Sequence, residues 1–291
     1  MALTFIIFED IILGRYIMAV ITISRQVAAH GDEIAQALAE KINYKFIDRK
    51  HIEARIVELG FPLDKLPKYD ERKPGFFASL VKERDEYLNY LQFAVLEAAS
   101  QGNVILIGRG AFIILEELSN LLALRFVARD AVRLERLKKE FNWNDKQAQA
   151  RIDESDANRL GFHKSFFNLV NEEPQHFHMV LNTGLLSIDE SVNVIESLLK
   201  STINSKKEAD GKAQIERLLE GQRLVNRLLF DAKLNINFLR AVVKEDNSVV
   251  LHGVADSQAL VEKAVNTAAN LLPSSKIESA ISVVRDYKAY S

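Results

Sequence analysis

Arg109 stands where the chain could present a positive charge to an anion. It lies between Gly108 and Gly110, directly after the apolar run 104–107. A guanidinium held at the end of a buried strand can bind a phosphate group through two parallel hydrogen bonds. An ion pair with a neighbouring helix is the alternative role. The sequence therefore predicts an anion site at the end of this strand.

The turn from Ser24 to Ile34 joins a buried strand to an amphipathic helix. Backbone N–H groups at a helix N-terminus can bind phosphate oxygens, and glycines let the backbone approach them closely. This turn contains only Gly31, and it lacks the Lys-Ser/Thr pair that would reach phosphates and a magnesium ion. The candidate ligand contacts are Ser24, Arg25, Gly31 and Asp32. Asp32 has a structural alternative, because a carboxylate stabilises the positive end of a helix.

Asp48 lies at the carboxyl end of the second predicted strand. Ligands bind at this edge of open parallel sheets, so Asp48 is a candidate nucleotide-binding residue. Capping of the following helix is an equally good interpretation. His176 and His178 have no third ligand nearby in the sequence, and such pairs are seldom metal sites. We expect no metal site built from protein side chains.

Apolar strands alternate with helices over residues 18–200. Strands are predicted at 21–24, 44–47, 104–107, 122–128 and 178–182, and helices at 32–42, 50–60, 130–140, about 145–160 and from a capping box at 187–190. This alternation predicts an α/β fold in which a five-stranded parallel sheet carries helices on both faces.

The pattern of apolar residues is interrupted after residue 200. Residues 201–212 are polar, charged and without apolar periodicity, which predicts a linker. Residues 213–291 then show a helix, two strands, a helix and a last strand. We expect a separate small α-β-β-α-β domain.

Composition bounds the partners of the protein. The chain has 291 residues, 48% hydrophobic, with a net charge of -2 and no cysteine. It is long enough for about two domains, and its charge gives no general attraction to nucleic acid. The absence of cysteine excludes thiolate chemistry and fits a cytoplasmic location.

Residues 1–17 are apolar but lack the basic region and cleavage site of a signal peptide, and acidic residues interrupt the run. Neither a signal peptide nor a transmembrane segment fits them well. We interpret 1–17 as an upstream extension from a mis-assigned start, with an added edge strand as the alternative.

Four segments together resemble the cytidylate kinase-like family, a branch of the nucleoside-monophosphate kinases with the P-loop fold. They are ITISRQ with GDEIAQALAEKINYKFIDR, VILIGRGA at 104–111, LRFVARDAVRLERLKKE at 124–140, and DESDANR at 153–159 with VLNTGLLSIDESV at 180–192. Their order and spacing cover about residues 18–200. The resemblance implies phosphoryl transfer from ATP, with Mg²⁺, to CMP or a similar nucleoside monophosphate.

The resemblance also implies roles for single residues. Asp156 and Arg159 match the family's Asp-x-Asn-Arg, in which the carboxylate reads cytosine and ribose and the arginine contacts phosphate. A solvated pair on one helix face is the alternative. The family usually carries another arginine four residues before the aspartate, but here that position is Ile152 and Arg151 is one step away. Asp48 matches a position that the resemblance associates with the monophosphate nucleoside.

The arginines after the fourth strand fall beside the lid that the resemblance implies, although basic helices are most often solvated faces. The candidate catalytic set is Arg109, Arg129, Arg133 and Arg159.

The turn departs from the family's own loop, which resembles SRQYGSGGREIA. Ala28 and His30 replace two of its three glycines, and Asp32 replaces its arginine. At an effective dielectric constant of about 20, a carboxylate a few ångström from a phosphate disfavours phosphate binding by an energy on the order of several kcal/mol. The donor half of the site is therefore predicted to be degenerate.

Residues 213–291 resemble a BON domain, mainly through VVLHGVADSQALVEKA and the closing strand. Such a domain implies a protein or lipid partner. Two functions follow for the whole chain. One is an active cytidylate kinase-like enzyme; the other is a catalytically impaired, kinase-derived binding or regulatory protein that acts through the BON-like domain.

Overall fold

The computed structural model describes residues 18–66, 69, 79–108, 110–169 and 173–284, with the backbone alone at 79–83. The predicted extension at 1–17 and the candidate Arg109 lie outside these ranges.

A five-stranded parallel sheet forms the centre of the larger unit. Its strands are β1 (Val20–Arg25), β2 (Lys45–Ile47), β3 (Val104–Ile107), β4 (Leu121–Val127) and β5 (Met179–Asn182). They lie in the order β2-β3-β1-β4-β5, and all the pairings are parallel. The carboxyl ends of the strands therefore meet at one edge, where their loops gather.

Helices connect the strands and cover both faces. They are α1 (Gly31–Ile42), α2 (Arg49–Glu58), α3 (Ser79–Ser100), α4 (Ala111–Ile114), α5 (Asp130–Phe141), α6 (Asp145–Phe167) and α7 (Ile188–Thr202). The predicted five-stranded α/β fold is confirmed. Helix α6 extends seven residues beyond its predicted end at 160, because Phe162 is buried and keeps its last turns on the core.

The two faces of the sheet bury separate cores because strand side chains alternate in direction. Val20 and Leu106 face the aromatic and aliphatic side chains of α3 and α6. Ile21 and Ile23 face α1 and α7 on the other side. The continuous apolar runs of β1 and β3 reflect burial on both faces.

A second, smaller unit follows. Helix α8 (Ser205–Asn226) leads through a π-helical turn into β6 (Asn237–Val243), β7 (Val249–Ala255), α9 (Gln258–Leu271) and β8 (Ile277–Val283). Strand β7 pairs antiparallel with β6 and parallel with β8. The predicted order of helix, two strands, helix and strand is confirmed.

The structure has helix where the sequence predicts a linker at 201–212. Only Ile203 and Asn204 separate α7 from α8, and residues 205–212 form the first turns of α8. The Asn204 side chain caps this helix by accepting a 3.0 Å hydrogen bond from the Lys207 N–H. The segment resembles a linker in sequence because the buried face of α8 begins only at Gly211.

Helix α8 contributes to both units. Ile215 and Leu219 are buried in the core around α3, whereas Leu224 and Val225 belong to the core of the small sheet. In the part of the chain that the structure describes, no helix is both long and apolar enough to cross a membrane.

Candidate functional site

The loop between β1 and α1 lies at the carboxyl edge of the sheet. Ala28 has φ 59° and His30 has φ 52°, in the left-handed region that favours glycine. An L-residue in this conformation costs roughly 1–2 kcal/mol. His30 is the N-cap of α1 but makes no side-chain capping hydrogen bond, and its ring nitrogen Nδ1 lies 3.0 Å from Glu33 instead. The start of α1 is therefore not closed by its own N-cap side chain.

Side chains from other elements bind the carbonyl groups of this loop. Arg133 Nε donates to the Val27 carbonyl at 3.0 Å, and Arg136 Nη1 donates to the Ala28 carbonyl at 2.9 Å. Both arginines belong to α5, so this helix fixes the back of the loop.

A cleft of about 380 Å³ opens in front of the loop. The loop and the start of α1 form one wall, and the end of α5 with one face of α6 forms the other. Cationic side chains on its lining come from three elements, and carboxylates lie among them. The charged lining residues are Arg25, Arg49, Arg151, Arg159, Asp32, Glu33 and Glu140.

Gly31 is required by the packing of Arg25 over the loop. A Cβ atom at Gly31 would lie 2.5 Å from Arg25 Cγ and 2.9 Å from its Cβ. Arg25 in turn lies 3.5 Å from Asp32, whose side chain is 59% exposed. Asp32 therefore pairs with a loop arginine at the mouth of the cleft.

Asp156 links α6 to α5 behind the cleft. Both of its carboxylate oxygens accept from Arg133, at 2.9 and 2.8 Å, and Arg159 lies 3.7 Å away. Arg133 is only 1% exposed and also donates to Asp130 at 3.0 Å. Its guanidinium therefore holds the loop and α6 together and does not face the cleft.

A family model described as the cytidylate kinase-like family matches residues 20–185. This match includes β1, its loop, α5 and α6, and it covers more than half of the chain. The chain belongs to the cytidylate kinase-like family.

The chain is also similar to individual proteins. The cytidylate kinase of Methanocaldococcus jannaschii is 28% identical over 169 residues, which are 57% of this chain and 89% of the relative. An uncharacterized protein from Eubacterium ventriosum superposes with a TM-score of 0.52 at 16% identity, over 63% of this chain and 99% of that one. Shikimate kinase from Bacteroides thetaiotaomicron gives a TM-score of 0.39 at 20% identity, with 63% and 99% covered. At 16% identity, the Eubacterium ventriosum structure supports the fold alone.

In this cytidylate kinase-like protein Asp48 is the N-cap of α2. Its carboxylate accepts from the His51 N–H at 3.0 Å and lies 2.6 Å from His51 Nδ1. Burial acts to raise the pKa of Asp48, but the hydrogen bonds from His51 outweigh it and the pKa is lowered. The capping alternative is thus realised in the structure.

The structure brings some predicted site residues together and separates others. Those that line the cleft are Arg25, Gly31, Asp32 and Arg159. Ser24 is buried at the end of β1, and Arg129 is an exposed residue at the N-cap of α5. Neither contributes to the cleft lining, and Asp156 and Arg133 lie behind it.

Among the lining residues that were not predicted as site residues are Arg49, Arg151 and Asn158. Arg151, Asn158 and Arg159 recur at the spacing of one helix face, and this periodicity in α6 was the available signal. Ile152 is buried and 2% exposed, so the neighbouring Arg151 is the residue that reaches the cleft.

A second, apolar cavity of about 40 Å³ lies beside the cleft under β2 and β3. Tyr69, Tyr87 and Phe162 contribute to its lining, and Arg49 borders both spaces. The ring centroids of Tyr69 and Tyr87 stack 4.9 Å apart. The carboxyl ends of β2 and β3 therefore carry an aromatic pocket next to the charged cleft.

Proposed function

We propose that this protein is a nucleoside-monophosphate kinase that transfers the γ-phosphoryl group of ATP to CMP or a similar monophosphate. One observation carries the proposal: the start of α1, preceded by two left-handed residues, faces arginines across a single cleft. Helix N-termini and guanidinium groups both bind phosphate oxygens. Membership of the cytidylate kinase-like family favours the same chemistry.

In the proposed reaction an oxygen of the acceptor phosphate attacks the γ-phosphorus of ATP. A new phosphorus–oxygen bond forms, the bond to the leaving oxygen breaks, and ADP departs. Catalysis of this kind depends on positioning and on neutralising charge. We assign charge neutralisation to Arg25, Arg151 and Arg159, which line the cleft. Arg133 becomes a positioning residue, because its donors are engaged by the loop and by Asp156.

The residues present fit a nucleotide that brings its own magnesium ion. Among the described residues there is no group of three or more His, Asp or Glu side chains that could hold a metal. Mg²⁺ in kinases keeps several waters and is bound largely by the substrate phosphates. When bound, it would neutralise charge between the donor phosphates.

The donor half of the site is the weaker half in this proposal. Ala28 and His30 occupy positions where the backbone favours glycine, and Asp32 competes with phosphate for Arg25. Arg159 on the acceptor side lines the cleft with a side chain that is 13% exposed, and it lies 3.7 Å from Asp156. We expect CMP to bind more tightly than ATP.

Separate calorimetric titrations with CMP and with ATP·Mg test the proposal. Binding of both ligands, with the lower dissociation constant for CMP, supports it. Tight ATP binding without CMP binding would reverse the assignment of the two halves, and binding of neither ligand would refute the proposed function. AMP, GMP and UMP titrations identify the acceptor base.

A second function, that of a catalytically impaired regulatory protein, is favoured by one observation. The carboxylates of Asp32, Glu33 and Glu140 line the same cleft as the arginines. In that case the C-terminal unit, which we propose as a BON-like domain, would contact a protein or lipid partner. Binding of CMP without any turnover of ATP would support this reading.

We further propose a cytoplasmic location and a domain division within α8, between Leu219 and Leu224. The lack of cysteine supports the first, and the change from one hydrophobic core to the other along α8 supports the second. A fluorescent fusion of the full chain would test the location.

A further inference from the structure

The loop before α1 adopts a glycine-like path without glycine at its two left-handed positions. Ala28 and His30 have φ values of 59° and 52°. Such a conformation persists in L-residues only where surrounding contacts hold it. The contacts that hold it lie on the side of the loop that faces away from the cleft.

Three consecutive carbonyl groups of the loop each accept a side-chain hydrogen bond. Arg133 Nε binds the carbonyl of Val27 at 3.0 Å, and Arg136 Nη1 binds that of Ala28 at 2.9 Å. Thr183 Oγ1 binds the carbonyl of Ala29 at 3.0 Å. We call Arg133, Arg136 and Thr183 the carbonyl clamp.

Arg136 joins the clamp into one unit. Its Nη2 donates to the Thr183 carbonyl at 2.6 Å, and its Nη1 lies 3.4 Å from the Thr183 hydroxyl. The Thr183 N–H donates to the Val127 carbonyl at 2.9 Å, so the clamp is anchored on the central sheet. Hydrogen bonds from a charged guanidinium are roughly twice as strong as neutral ones.

The clamp determines where the loop N–H groups point. In a planar trans peptide the C=O and N–H bonds point in opposite directions. Because the Val27 and Ala29 carbonyls face α5 and Thr183, the N–H groups of Ala28 and His30 face the other way. The Ala29 N–H between them donates to the Gln26 carbonyl at 3.3 Å. The N–H groups of Ala28 and His30, together with the start of α1, would therefore form the concavity that binds anions.

We propose that Arg136 and Thr183 are positioning residues that hold the loop N–H groups in place for the donor polyphosphate. Their hydrogen bonds hold the loop backbone in the left-handed conformation that glycines would adopt without such support. The polyphosphate as ligand rests on the proposed function; the control of loop conformation does not.

A double-mutant cycle between Arg136→Gln and Ala28→Gly tests the proposal. Arg136→Gln should weaken ATP·Mg and inorganic tripolyphosphate binding about tenfold, the effect expected from losing one charge-assisted bond, and change CMP binding less than about twofold. With glycine at position 28 the same substitution should cost less than about threefold, because glycine adopts the left-handed conformation without strain. Lys139→Gln removes the same charge from an exposed position of α5 and is the matched control.

Three results would overturn the inference. They are an equal loss of affinity in both backgrounds, an equal loss for CMP, and an equal loss in Lys139→Gln. If Arg136→Gln does not fold, Thr183→Val removes the hydroxyl that binds Ala29 while keeping the side-chain shape, and the same outcomes apply.

Amide hydrogen exchange without nucleotide separates this inference from the proposed function. Exchange over residues 26–33 should be at least about fivefold faster in Arg136→Gln than in the parent or in Lys139→Gln, since local opening sets the rate. Unchanged exchange would refute the clamp whatever the protein binds. Faster exchange in a protein that binds no nucleotide would refute the proposed function and leave the clamp standing.

Discussion

Gly31 lies beneath the side chain of Arg25, and this packing leaves no room for a Cβ atom at position 31. Gly31→Ala places a methyl group against Arg25 Cβ and Cγ, which lie close to the backbone and cannot swing away easily. We expect a loss of about 1–3 kcal/mol in unfolding free energy, as for other overpacked sites. Gly108→Ala is the matched control, since a Cβ there meets nothing within 4 Å. Equal denaturant midpoints for the two variants would contradict the packing argument.

Asp32 offers a second residue-scale prediction. Asp32→Asn removes the carboxylate that lies 3.5 Å from Arg25, so the arginine becomes free to bind phosphate. Because the group is exposed and screened, we expect ATP affinity to rise by about three- to tenfold rather than by the full Coulomb value. Calorimetry measures the change. Asp145→Asn removes an exposed carboxylate that does not line the cleft, and a similar gain there would show that the effect is not local.

Some features of the β1–α1 loop and its cleft could be predicted from single residues, and others could not. The sequence identified Gly31, Arg25 and Arg159, because glycine and arginine at these positions have a direct physical meaning. It did not reveal that Ala28 and His30 have a left-handed backbone. That conformation depends on Arg136 and Thr183, which are more than 100 positions away in the chain. Contacts over such separations are visible only in the folded chain.

At the scale of elements, the pair Arg133 and Asp156 joins α5 to α6. Asp156→Asn would leave a guanidinium that is 1% exposed with weaker partners. We expect a loss of about 2 kcal/mol in stability, within the range for unsatisfied buried charged groups. Asp153→Asn lies exposed on the same helix and is the control. A thermal melt in which both variants lose the same stability would contradict the role of the pair.

We expect the stability of the β4–β5 region to depend on pH through His178. Partial desolvation of the ring and then the charge of Lys207 lower the pKa of His178, whose Nδ1 accepts a 3.0 Å hydrogen bond from the Ala123 N–H. The unfolded chain therefore binds a proton at higher pH than the folded protein does. Stability should be complete above pH of about 6.5, the value for an unperturbed histidine, and fall as the pH drops below it.

Urea unfolding at pH 7 and at pH 5.5 measures this effect. His178→Asn keeps an acceptor for the Ala123 N–H but cannot titrate, so its midpoint should fall less between the two pH values than that of the parent. His252→Gln removes a histidine from the small sheet and is the control. An unchanged pH dependence in His178→Asn would contradict the assignment.

Most helices and strands could be predicted from the sequence, but the helical conformation of residues 205–212 could not. Buried strands and amphipathic helices carry their periodicity in the sequence, so the five strands and the C-terminal α-β-β-α-β order could be located. The first turns of α8 are polar because most of their residues are at least partly exposed, and the buried face of the helix begins at Gly211. A helix that begins on its solvated side resembles a linker until its partner is known.

At the scale of the whole molecule, α8 connects two hydrophobic cores without a flexible segment. Native-state trypsin digestion should therefore spare the sites at Lys212 and Arg217, because cleavage requires local unfolding of a packed helix. We expect the first cuts to lie outside 205–226, as read by mass spectrometry. Early release of a fragment that ends at Lys212 would contradict the continuous helix.

The same architecture predicts the effect of a core substitution in α8. Ile215→Ala should destabilise the larger unit by about 2–4 kcal/mol, as for other buried isoleucine truncations. Leu251→Ala, in the core of the small sheet, provides the comparison. If Ile215→Ala lowered the stability of the small unit alone in hydrogen exchange, the division of α8 between the two cores would be wrong.

Phosphoryl transfer from ATP to a nucleoside monophosphate can be measured in a single assay. The full chain is incubated with ATP·Mg and CMP, and CDP and ADP are quantified by chromatography, with Arg159→Gln in parallel. We predict equal amounts of CDP and ADP that require both substrates, and at least about a hundredfold less product from Arg159→Gln, since arginines that stabilise phosphoryl transfer contribute 10³ or more. No diphosphate from CMP, UMP, AMP or GMP at any enzyme concentration would contradict the account.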